Sequence, residues 1–93
     1  MLRALAAASG TDPELGALWR EIEEQRFSGQ SRFVGMLAER GSLRPSLSLD
    51  DACAVTWTLC SLAVHDQLVL GRGWTEDQYR DWLADALARE LLP

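Results

Sequence analysis

Residues 52–64 read Ala52-Cys53-Ala54-Val55-Thr56-Trp57-Thr58-Leu59-Cys60-Ser61-Leu62-Ala63-Val64, an uncharged stretch whose polar side chains are Thr56, Thr58 and Ser61. A soluble helix is apolar nearly all the way round only when several of its sides are covered. Val55, Leu59 and Leu62 project roughly opposite to Cys53, Trp57, Cys60 and Val64, so each face requires its own partner. Just upstream, Ser48 can cap the helix start, and Asp50 and Asp51 in the first turn complement its dipole. The pattern predicts one buried helix over 49–70.

Working outward, Thr75 with Gln78 three residues later forms a capping box, with Glu76 and Asp77 in the first turn of a helix over 76–91. Tyr79, Trp82, Leu83, Ala86 and Leu87 make its apolar stripe, and Asp77, Asp81 and Asp85 lie on the other side. Before the central stretch, Asp12 can cap a long helix over 13–40, with Pro13 at its first position and Glu14 against its dipole. Leu15, Leu18, Trp19, Ile22, Phe33, Met36 and Leu37 recur along it at helical spacing, and Gly41 follows as a stop. Gly29 in its interior costs about 1 kcal/mol against alanine, which points to close packing or a kink there. A short first helix, 2–8, ends at Ser9-Gly10. No stretch has the alternation of a strand, so the fold class is all-α, an antiparallel helical bundle in one domain, 1–93.

Composition bounds the function. The net charge is −5, and the nine basic residues, all arginine, are scattered. A chain that grips nucleic acid by itself needs a basic stripe to neutralise phosphates, so direct DNA binding is not expected. Asp66, Arg72 and Glu76 interrupt the most apolar run, which argues against a membrane span, and the start of the chain lacks a long apolar signal core. The expected location is cytoplasmic.

Catalytic chemistry is not legible. No phosphate-cradling glycine loop, nucleophile elbow, HExxH or CxxC motif is present, and no catalytic residue, metal site or cofactor is expected. His65 stands beside Asp66, but adjacent helical residues are not expected to face each other. Cys53 and Cys60 lie seven residues apart, about 10.5 Å along a helix and too far for a disulfide, so they read as small apolar side chains. Two readings of Arg26 stand. It lies amid the apolar face of the long helix either as an arginine paired with a carboxylate or as a cation at the rim of an apolar pocket. Trp19, Phe33 and Trp57 likewise fit either a core or a ligand wall.

Several of these motifs together resemble the C-terminal domain of actinobacterial TetR-family transcriptional regulators. They are Leu43-Arg44-Pro45 and Leu47-Ser48, Trp57 within Thr56-Trp57-Thr58-Leu59, Ser61, Arg72-Gly73-Trp74-Thr75 with Tyr79, and Trp82-Leu83-Ala84-Asp85-Ala86-Leu87. Thr11-Asp12-Pro13-Glu14-Leu15 to Trp19-Arg20 resembles the long helix that precedes them in that family. The likeness covers most of the chain. Two departures stand out: His65 occupies a position where the family often has tyrosine, and Leu62-Ala63 replaces a common proline-acid pair.

The resemblance implies a repressor's regulatory domain, without its helix-turn-helix, that forms a homodimer through a four-helix bundle and senses a small effector. The dimer interface would comprise Val55, Leu59, Leu62, Tyr79, Trp82, Leu83, Ala86 and Leu87. A pocket for an apolar or weakly acidic effector would be lined by Phe33, Met36 and Leu37 on one wall and Cys53, Trp57 and Cys60 on the other, with Trp19 and Arg26 towards its opening. The competing expectation is a ligand-free helical module that acts by association alone. An enclosed cavity between the second and third helices would favour sensing, and a solid core there would favour association.

Overall fold

The computed structural model describes Leu2–Pro93, with side chains from Ala4 onward. Five helices follow one another: α1 (Leu2–Ala8), α2 (Pro13–Glu39), α3 (Leu49–Leu59), α4 (Leu62–Arg72) and α5 (Glu76–Leu91), with no strand among the described residues.

The ends of these helices are set by local chemistry. The Asp12 carboxylate accepts from the backbone N–H groups of Glu14 and Leu15, and Pro13 begins α2 without a wasted donor. Gly41 at φ 69° provides the left-handed turn that ends α2. Ser48 Oγ accepts from Asp51 N–H at the start of α3. At α5 both halves of the capping box form, Gln78 N–H to Thr75 Oγ1 and Thr75 N–H to Gln78 Oε1. Gly73, at φ 75°, closes α4.

The helix expected over 49–70 is two helices. The chain breaks at Cys60, and Ser61 starts α4 afresh, its hydroxyl accepting from Val64 N–H at 3.2 Å. Apolar continuity through Leu59–Leu62 masked the break, because periodicity reports burial and not unbroken hydrogen bonding. By length and composition Leu49–Arg72 is long and apolar enough to cross a membrane, against the expectation that no run would be. From Ala52 to Leu70 the one charged residue is Asp66. The stretch is interrupted at Cys60–Ser61.

The core lies where α2, α3 and α5 meet. Val34, Ala52, Cys53 and Leu91 are buried together, with Leu37, Leu43, Leu47 and Leu87 packed around them. Arg44 in the α2–α3 loop ties α5 down, its N–H donating to the Leu91 carbonyl at 2.7 Å and its guanidinium to the Arg89 carbonyl. α1 lies against the first half of α2, and α4 docks mainly on α5. Gly16 is buried on α2, and a Cβ there would stand 2.9 Å from the Ser9 carbonyl oxygen. Gly29 is exposed, and a Cβ there would meet nothing within 4 Å, so close packing is not what it serves.

Candidate functional site

Accessible surface amounts to 6322 Å² for a mass of 10.3 kDa. A compact monomer of that mass presents about 5,400 Å². The radius of gyration is 15.0 Å, against about 12.3 Å for a compact chain of this length. Few large side chains are shielded, and Leu18, Phe33, Met36, Leu49 and Leu70 stand at least 46% exposed. The chain is extended and leaves much apolar surface uncovered.

Two apolar depressions mark that surface. The first, about 290 Å³, opens between α2, α3 and α5 and is lined by Phe33, Leu37, Thr56, Leu87 and Leu91 among others. The second, about 340 Å³ and shallower, lies over Ala54, Val55, Thr58 and Leu59 of α3 with Glu90 of α5.

These features redistribute the expected pocket residues. Phe33 and Leu37 do line the first groove, but its opposite wall is α5 and not the face carrying Cys53, Trp57 and Cys60. Cys53 is core, buried with Val34 and Ala52. Trp57 packs edge-on against Phe27 with ring centroids 5.7 Å apart. Met36 is 51% exposed outside the groove. Trp19, half-buried, lies fourteen residues before Phe33 on the same helix, about 21 Å along its axis. Of the wall expected on α3, Cys53 belongs to the core, while Trp57 and Cys60 are half-buried. The groove beside it, walled by α2, α3 and α5, is open.

Arg26 has partners within the chain. Its guanidinium donates to Glu23 Oε1 at 3.0 Å and to the Cys60 carbonyl at 3.1 Å. This is the carboxylate-paired reading with an addition: Arg26 also caps the end of α3. Burial pushes the Cys60 thiol above its ordinary range, and the nearby Arg26 charge pulls the other way.

The expected interface residues also divide. Val55 and Leu59 border the second depression on the outer face of α3. Leu62 and Leu83 are half-buried. Ala86 is 6% exposed within the single chain, so it faces inward. Leu87 packs against the core cluster. Tyr79 and Trp82 are engaged inside the chain, His65 standing edge-on to Tyr79 at 4.9 Å and Trp74 edge-on to Trp82 at 6.1 Å. Much of the α5 stripe is thus used to hold α4 and α3, because the chain folds α5 back on both.

His65 is the centre that sequence reasoning missed. Its Nδ1 lies 3.0 Å from Asp66 Oδ1, and its Nε2 lies 2.9 Å from Glu76 Oε1. The Asp66 contact corrects the expectation that adjacent residues would not meet: their Cβ atoms diverge, but the two side chains are long enough to turn towards each other. Glu76 lies eleven residues on, across the Gly73 turn, and only the fold brings it near. The hydrogen bonds to Asp66 and Glu76 raise the imidazole above the ordinary histidine value. Burial raises the Tyr79 hydroxyl, with the charges of Cys60 and Glu76 adding to it. Among the described residues no group of three His, Cys, Asp or Glu side chains could hold a metal ion.

Comparison with known proteins adds no identity: no protein-family model, curated protein or solved structure matches the chain.

Proposed function

We propose that this chain acts by association: it is a TetR-type dimerisation domain that influences transcription through the partner it pairs with. The observation that carries this reading is the surplus surface. An excess of about 900 Å² over a compact monomer is close to what one partner buries in a standard protein–protein interface. The second depression, with Val55 and Leu59 on an outward face of α3, lies where a helix uncharged beyond its first turn most needs a cover. An outward apolar patch of this kind, met by the same patch of a second copy, suits a two-fold dimer.

The core position of Cys53 and the edge-on packing of Trp57 against Phe27 support association without a ligand over sensing. One observation keeps effector sensing as a second reading. The groove between α2, α3 and α5 is almost wholly apolar, and further helices laid over Phe33 and Leu87 would enclose it.

Native mass spectrometry of the purified chain tests both readings. The expected result is a dimer at micromolar concentration with no additional bound mass. A monomer would overturn the association reading, and a dimer carrying a small-molecule mass would favour sensing. The same chain should give no saturable, sequence-dependent mobility shift with duplex DNA, given its charge of −5.

A further inference from the structure

α4 has no buried residue, and its main docking partner is α5. A helix held so lightly sits at the low-stability end of a fold, where a few polar contacts decide whether it stays in place. A polar bridge ties it to α5: the His65 imidazole lies between Asp66 on its own helix and Glu76 at the first position of α5, with the Tyr79 ring edge-on to it. Both ring nitrogens face carboxylate oxygens, at 3.0 and 2.9 Å. Only the doubly protonated imidazolium can donate at both; a neutral ring must turn a bare nitrogen lone pair towards one carboxylate.

We propose that His65 is a pH-sensitive latch: its protonated ring holds α4 against α5 through Glu76, and loss of that proton releases α4. The groups facing the ring are Asp66 from α4 and Glu76 and Tyr79 from α5, and the Tyr79 hydroxyl in turn feels Cys60 and Arg26 at the α3–α4 break. The direction follows from linkage. A histidine whose folded-state value is raised binds its proton more tightly folded than unfolded. Its contribution is fully present below the unfolded value near 6.5 and is lost as pH rises through the higher folded value. The device therefore closes in mildly acidic solution and opens towards alkaline solution. Glu76 is largely solvent-exposed, so added salt screens the pair and favours the open arrangement. None of this depends on whether the chain pairs with a copy of itself.

The test is an NMR titration of the His65 ring protons in the full chain, alongside hydrogen exchange of the α4 amides corrected for intrinsic rate. The expected result is a titration midpoint above that of a free histidine, with protection of 62–72 falling through the same midpoint while that of α2 and α3 holds. Glu76→Gln should move the midpoint down and weaken α4 protection at acidic pH. A wild-type midpoint at or below the free value, or α4 protection that does not change through the titration, would overturn the proposal. Both readouts come from the wild-type protein, so the test is decisive even if the variant folds poorly.

Discussion

The Arg26 guanidinium donates a hydrogen bond to the backbone carbonyl of Cys60, thirty-four residues away, at 3.1 Å. That carbonyl belongs to the residue where α3 stops and lies in the last turn, where acceptors have no helical donor. A charged side chain from the middle of α2 thus completes the end of α3, one residue before Ser61 opens α4. The same guanidinium is held by Glu23, so the cation is positioned before it reaches its target.

Replacing Arg26 with Met keeps much of the aliphatic stem and removes the cap. The expected cost is about 1 kcal/mol, because the side chain is 29% exposed and solvent partly replaces the lost bond. Urea denaturation measures it, and unchanged stability would show that the Cys60 contact does not support the α3–α4 break.

Two glycines on one helix should respond in opposite directions. Gly16→Ala places a methyl 2.9 Å from the Ser9 carbonyl oxygen, and it should destabilise by about 1–3 kcal/mol while loosening α1. Gly29→Ala meets open space and should stabilise by about 0.5–1 kcal/mol through helix propensity. Thermal melts of the two variants with the wild type decide this, and a shift of the same sign in both would contradict the packing described.

Val34 is fully buried at the meeting of α2, α3 and α5. Truncation to Ala should cost about 2 kcal/mol from lost burial and the cavity left behind. Met36, two residues on and 51% exposed, should tolerate Ala with a change of about 0.5 kcal/mol. Denaturant midpoints for the pair separate the inner from the outer face of α2.

Leu59→Glu and Leu87→Glu separate association from folding. Leu59 borders the outward depression, so on the proposed association reading the wild type should sediment as a dimer and this variant as a folded monomer. Leu87 packs on the core, so a carboxylate there should reduce helical content and thermal stability together. Sedimentation velocity with circular dichroism checks both, and a Leu59→Glu variant that remains dimeric would remove that face from the interface.

What could be read from the residues in order was mostly local. Asp12 with Pro13, Ser48 with Asp51, and Thr75 with Gln78 marked helix starts, because a cap is made within three residues and needs no tertiary partner. The all-helical class followed from apolar spacing, and Gly41 as a stop from its freedom at positive φ. What only the tertiary structure decided lay in contacts between distant segments. Ser61 reads as one more small residue in an apolar run until Arg26 arrives to satisfy the carbonyl before it. Cys53 and Phe33 both carry apolar side chains of α2–α3, yet one is core with Val34, Ala52 and Leu91 and the other lines an open groove whose far wall is α5. His65 and Glu76 carry no periodic signal that links them. The Gly73 turn folds one helix start beside another, and a carboxylate close enough to hold an imidazolium is the result.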